Sequence, residues 1–140
     1  MKNIIMSKEE IQVTCSKLGQ QLTEKFKDNI LPPVFIGVMK GALPFMMDLI
    51  RNVKCPILTD YVEISSYMGT ESTGVIKLKK DISIDISNRE VVIIEDIVDS
   101  GITLKWFKEH LQKHYCPKNI SICVLLDKKC KRKVECEINY

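Results

Sequence analysis

One stretch constrains the fold of this chain more than any other: Val91-Val92-Ile93-Ile94-Glu95-Asp96-Ile97-Val98-Asp99-Ser100-Gly101-Ile102-Thr103. Its four consecutive β-branched apolar residues read as a strand buried on both faces, the pattern of a parallel sheet. Two carboxylates follow, a third stands at Asp99, and Ser100-Gly101 makes a small-residue turn. Thr103 then opens a helix through Leu104, Trp106, Phe107 and Leu111. In open α/β sheets, ligands bind beyond the carboxyl ends of the strands. A helix start placed there holds anions through its free N–H groups and its dipole. Ser100 and Thr103 add hydroxyl donors, and Gly101 allows close approach of the backbone. The stretch thus offers a phosphate cradle beside carboxylates suited to sugar hydroxyls or a metal. An acidic N-cap, with Asp99 or Ser100 capping the helix, draws on similar residues, and residue types alone leave both readings open. Neither the P-loop spacing nor Gly-x-Gly-x-x-Gly is present, which counts against nucleotide-triphosphate and dinucleotide folds.

The rest of the chain repeats the same unit. Ser7-Lys8-Glu9-Glu10 has the form of a capping box, and Ile11, Cys15, Leu18, Leu22 and Phe26 follow at helical spacing. Pro32-Pro33 closes the linker. Val34 to Val38 predicts a buried strand, Met39-Lys40-Gly41-Ala42 a short turn, and the stretch from about Leu43 to Arg51 a helix with Pro44 in its first turn. Lys40 stands at a strand's carboxyl end, where it either meets an anion or simply faces solvent. Ile57 to Ser65 predicts a strand. The small, polar run from Ser65 to Gly74 predicts a long hairpin loop, and Val75-Ile76-Lys77-Leu78 resumes as a strand. Ile120 to Leu126 predicts another buried strand, and the alternation of Val134, Cys136, Ile138 and Tyr140 a final one. Strand–turn–helix units of this kind predict an α/β doubly wound parallel sheet with an appended hairpin lid.

Length and charge narrow the function classes. With 140 residues and 45% hydrophobic content, the chain is expected to form one domain over 1–140 with a real core. A net charge of +3 is too mild to predict nucleic acid as main partner, although Lys128 to Lys133 is a concentrated basic run. No segment approaches the roughly 18 apolar residues of a membrane span, and Met1-Lys2-Asn3-Ile4-Ile5 does not form a signal peptide. The six cysteines form no Cys-x-x-Cys pair and predict free thiols in a reducing cytoplasm. His110 and His114, four residues apart without a third ligand, predict a solvated helix face.

The run Ile93–Thr103 resembles the phosphoribosyl-pyrophosphate (PRPP) signature of type I phosphoribosyltransferases. Met39-Lys40-Gly41-Ala42, the Ser66-Tyr67 pair followed by Ser72-Thr73-Gly74, and Asp127-Lys128 add three further matches. The chain is identified as a member of the hypoxanthine-guanine (6-oxopurine) phosphoribosyltransferase family, of bacterial type. The resemblance implies transfer of the 5-phosphoribosyl group from PRPP to N9 of hypoxanthine or guanine, giving IMP or GMP and pyrophosphate in purine salvage. It implies that Glu95 and Asp96 hold the ribose hydroxyls, directly or through Mg²⁺. Asp99, Ser100, Gly101, Ile102 and Thr103 would bind the 5′-phosphate, with Asp99 also the base that takes the purine N7 proton. Met39, Lys40, Gly41 and Arg132 would meet pyrophosphate, with a cis Met39–Lys40 peptide. Ser66 and Tyr67 would belong to the flexible catalytic loop and exclude water. Lys128, which only donates hydrogen bonds, would read the purine's exocyclic oxygen, beside Ile97.

Both carboxylates of Glu95 and Asp96 reach one sugar only if the strand has ended before them, because strand neighbours face opposite ways. Family members continue past the position of Tyr140 with a base-stacking aromatic, groups reading the purine edge and an acid near a second metal. The chain is therefore expected to be truncated relative to the family, with an incomplete hood. A PRPP-binding regulator, an inactive fragment and a xanthine-preferring enzyme stay open as alternatives. The family's habit of forming dimers or tetramers implies a homo-oligomer.

Overall fold

The computed structural model describes residues 4–67 and 75–140, Tyr67 by its backbone alone. Helix α1 spans Lys8–Phe26 and begins with the capping box: Ser7 Oγ accepts the Glu10 N–H, and the Glu10 carboxylate accepts the Ser7 N–H. Strand β1 (Val34–Met39) leads into α2 (Leu43–Arg51), and β2 (Leu58–Tyr67) and β3 (Val75–Lys80) form an antiparallel pair. Strand β4 (Glu90–Val98), α3 (Ile102–His114) and β5 (Asn119–Asp127) complete the regular elements, followed by a 3₁₀ turn at Lys129–Lys131.

The five strands lie in the order β3-β2-β1-β4-β5, with β2, β1, β4 and β5 parallel. Alternation along each strand sends side chains to two cores. Val34, Ile36, Val91, Ile93 and Ile122 pack with Leu104, Phe107 and Leu111 of α3. Phe35, Val92, Ile94 and Cys123 pack on the other face with Cys15, Leu22 and Phe26 of α1 and Phe45, Met46 and Leu49 of α2. Burying both faces is what a parallel sheet requires, and it explains the unbroken apolar runs. The four parallel strands bring their carboxyl ends to one edge of the sheet, where ligands of such sheets bind.

Three expectations are corrected. The alternating segment from Val134 to Tyr140 forms no strand. It is extended beside β5, with Val124 N–H donating to the Tyr140 carbonyl and Asn139 and Tyr140 N–H groups to the Ile122 carbonyl. The Asn139 side-chain oxygen takes the Ile122 N–H at 2.8 Å, so a ladder is replaced by a side chain at that step. The alternation reflects half-burial: Cys136 and Ile138 lean on one core and Tyr140 on the other. His110 does not lie on a solvated face either. Its Nε2 meets Asp81 Oδ2 at 2.8 Å, and its ring stacks on Trp106 at 5.2 Å between centroids. Third, Ser66 and Tyr67 belong to β2, paired with Ile76 and Val75. Only residues 68–74 remain for the expected flexible loop, and they lie outside the described residues. All six cysteines are free, and burial pushes the Cys123 thiol up to about 12.

Candidate active site

A cavity of about 390 Å³ opens at the carboxyl end of the parallel strands. Its floor is the run from Glu95 to Gly101, with Thr103 of α3. Met39 and Gly41 line it from the turn after β1, and Ser66 and Ile64 from β2. Residues separated by more than 50 positions in sequence thus meet because three parallel strands end together.

Strand β4 runs through both acids to Val98, so the expected earlier strand end is not found. Pairing with β5 persists through Ile97↔Leu126 and Val98↔Asp127, whereas pairing with β1 stops at Gly37↔Ile94. One edge of residues 95–98 is therefore free, and both Glu95 and Asp96 reach the cavity from it. The Glu95 carboxylate accepts the Asp96 N–H at 2.9 Å, and Asp96 Oδ1 accepts the Ile97 N–H at 2.8 Å. Burial, reinforced by the neighbouring Asp96 carboxylate, pushes Glu95 up to about 8. Asp96 faces the turn after β1: a Cβ on Gly41 would lie 3.2 Å from each of its carboxylate oxygens. A side chain at position 41 would therefore press on the carboxylate and shift it by a few tenths of an ångström.

The N-cap of α3 is Gly101 in the left-handed region (φ 81°), without a side-chain cap. Asp99 and Ser100 thus do not occupy the capping position, and only the Ile102 N–H meets Ser100 Oγ, at 3.3 Å. The first amides of a helix have no intrahelical partners. This end presents them, with the positive pole of the dipole, to the cavity that Ser100, Gly101 and Thr103 line.

Asp99 lines the cavity, and Lys128 stands beside it at the neighbouring strand end, its Nζ 3.5 Å from Asp99 Oδ1. The Lys128 N–H donates to the Val98 carbonyl at 2.9 Å, which fixes that neighbourhood. The Met39–Lys40 peptide is cis, as the resemblance implied, and Lys40 is exposed. Lys40, Ile102, Lys128 and Arg132 are not among the lining residues. Arg132 is turned away, its guanidinium on Asp127 and on the Cys136 carbonyl. Val38, Ile64, Val98 and Leu104 also line the cavity, although the sequence marks them only as apolar members of strands and a helix.

A helix start without a side-chain cap stands beside paired carboxylates at the open end of a parallel α/β sheet, an arrangement suited to a phosphorylated sugar. The family model for the phosphoribosyl transferase domain matches residues 5–139. The hypoxanthine-guanine phosphoribosyltransferase of Staphylococcus epidermidis is 41% identical over the whole of this chain, which spans 77% of that protein. The Bacillus subtilis enzyme of the same name is 40% identical with the same coverage. A crystal structure of a Staphylococcus aureus hypoxanthine phosphoribosyltransferase superposes with a TM-score of 0.91 at 40% identity, covering all of this chain and 75% of that one. The chain belongs to the phosphoribosyl transferase family, in its hypoxanthine-guanine branch, and has the type I fold.

Proposed function

We propose that the protein joins hypoxanthine or guanine through N9 to C1 of PRPP, releasing pyrophosphate and forming IMP or GMP. The observation that carries this reading is the uncapped start of α3, facing the same cavity as Glu95, Asp96 and Asp99. The helix start with Ser100, Gly101, Ile102 and Thr103 receives the 5′-phosphate. Glu95 and Asp96 orient the ribose hydroxyls. Holding the sugar at both ends places C1 toward Asp99 and Lys128, and such positioning is itself a large part of catalysis. Lys128 donates to the exocyclic oxygen, an atom adenine lacks. As the N9–C1 bond forms and the C1–O bond to pyrophosphate breaks, Asp99 accepts the proton from N7. Met39, Lys40 and Gly41 border the leaving group, with Lys40 offering positive charge. Ser66 closes the side formed by β2, and Ile97 lies against the base.

The donor set fits Mg²⁺. Glu95 and Asp96 supply only oxygen, which suits a hard cation. Among the described residues no group of three or more His, Cys, Asp or Glu could hold a metal, so the ion would depend on ligand oxygens as well. Held by Glu95, Asp96 and ligand oxygens, the ion would supply positive charge against the departing pyrophosphate. Among the described residues no helix is long and apolar enough to cross a membrane.

The test follows ultraviolet absorbance while the purified chain meets PRPP, Mg²⁺ and hypoxanthine, then guanine, then xanthine. Turnover with the first two bases that requires PRPP is the expected result. Preference for xanthine would reassign the base. PRPP binding without turnover would make the protein a regulator on this fold.

A further inference from the structure

Gly101 rests on the segment that follows β5. A Cβ at that position would meet Arg132 Cδ at 3.0 Å, Cys136 Cβ at 3.1 Å and the Val134 carbonyl oxygen at 3.5 Å. The Ser100 carbonyl accepts the Lys133 N–H at 2.9 Å and the Val134 N–H at 3.3 Å. The turn that begins α3 is thus held from behind by backbone bonds and by one long side chain. That side chain is itself fixed at its far end. Arg132 Nη2 pairs with Asp127, the last residue of β5, and Nη1 donates to the Cys136 carbonyl at 3.1 Å. Asp127 in turn pairs with Val98, one residue before the turn's own acid. The loop from Asp127 to Cys136 is closed on itself by one guanidinium, and its inner surface is the seat of Gly101.

We propose that Arg132 is a positioning residue for the 5′-phosphate turn. Its stem seats Gly101, and its fork ties Asp127 to Cys136, so that the amides after Gly101 stay aimed at the phosphate. The inference rests on the phosphoribosyl reading above and replaces the role in pyrophosphate binding that the family resemblance implied. The Arg132 side chain is 18% exposed, and both terminal nitrogens are engaged. Turning it toward pyrophosphate would strip Asp127, itself 20% exposed, of its partner, and uncompensated charges of that kind are costly.

The experiment compares the wild type with Arg132→Ala and Arg132→Lys. Amide hydrogen exchange is measured without ligand at Lys105, Lys133 and Val134, whose N–H groups are bonded to the Gly101 and Ser100 carbonyls of the turn. Affinities are measured for IMP, which carries a 5′-phosphate but no pyrophosphate, and for inorganic pyrophosphate. In Arg132→Ala, exchange is expected to quicken about tenfold and IMP to bind about tenfold more weakly, with pyrophosphate within about twofold. Arg132→Lys keeps the stem and the charge facing Asp127 and recovers most of both losses. Unchanged exchange overturns the proposal, as does a pyrophosphate loss equal to or larger than the IMP loss. If Arg132→Ala does not fold, Asp127→Asn, which loosens the fork and keeps the stem, is expected to move exchange and IMP affinity the same way, and no movement overturns the proposal. A wild type that binds neither ligand would end the phosphoribosyl reading, while the exchange comparison would still decide whether Arg132 holds the turn.

Discussion

Asp99 and Lys128 stand 3.5 Å apart with both side chains about half exposed, so their attraction contributes little to stability. On the proposed reading their proximity serves chemistry instead, with a proton acceptor at Asp99 beside a hydrogen-bond donor for an oxo group at Lys128. Asp99→Asn keeps the shape and removes the basic oxygen. It should lower kcat by about 10²–10⁴-fold, the usual share of general base catalysis, with a KM for PRPP changed only slightly. Steady-state kinetics that lost kcat and affinity together would assign Asp99 to binding. Glu95 gives a pH dependence. Its carboxyl is raised to about 8 from an ordinary 4.5, so the folded state binds the proton more tightly than the unfolded chain. Its stabilising contribution is complete below 4.5 and is lost as pH rises toward 8, at no more than about 1.4 kcal/mol per pH unit. Glu95→Gln should flatten the fall in Tm between pH 5 and 8, measured by calorimetry on ligand-free protein. A wild-type Tm that rises over this window would contradict the assignment.

At the scale of elements, two carboxylates fasten the exit of β3, Asp60 to β2 and Asp81 to α3 and the residue after it. Asp60, on β2, is buried and accepts N–H groups from Ser83 at 2.6 Å, Tyr61 at 2.8 Å and Ile84 at 3.2 Å, with Lys80 Nζ at 3.5 Å. Burial alone would raise Asp60, but these donors and the Lys80 charge outweigh it and hold the carboxyl below its ordinary value. Stability from Asp60 is therefore full above the unfolded value and is lost as pH falls through the folded one. Asp60→Asn turns an amide donor toward these N–H groups and should cost about 2–3 kcal/mol at pH 7 by urea denaturation. It should also make the variant less sensitive to acid than the wild type. Asp81 performs the same service from the exit of β3, accepting His110 Nε2 at 2.8 Å and the Tyr115 hydroxyl at 2.9 Å. Tyr115→Phe should cost about 1 kcal/mol in the same measurement. None of this was legible in the sequence. Asp60 finds its amides 23 and 24 residues away and Asp81 its imidazole 29 residues away, and no local period encodes such pairs. What was legible is local in origin. The capping box before α1, the unbroken apolar runs of β1, β4 and β5, and the bounds of α2 each follow from neighbours in sequence. The turn after β4 was legible for the same reason, whereas the direction of Arg132 depended on Asp127 and the Cys136 carbonyl choosing it over the cavity.

For the whole molecule, the site joins the carboxyl ends of three neighbouring strands and the turns that follow β1 and β4. The turn after β1, the end of β2 and the β4–α3 turn approach one another around empty space, and each leaves polar groups facing it. A ligand that satisfies these groups in the folded state only must raise the unfolding free energy by mass action. At about 100 times its dissociation constant the gain is about 2.7 kcal/mol, or about 6–10 °C in Tm for a chain of this size. IMP and GMP should produce this shift. Inosine, which has the base and ribose without phosphate, should give much less of it at equal concentration, because the α3 amides and dipole would have no anion to hold. Raising salt should weaken the IMP shift modestly, since the phosphate contact is partly electrostatic. Equal shifts from IMP and inosine in a thermal melt would mean that the base and ribose, and not the helix start, dominate recognition, and the cradle would then be a turn that happens to lack a cap.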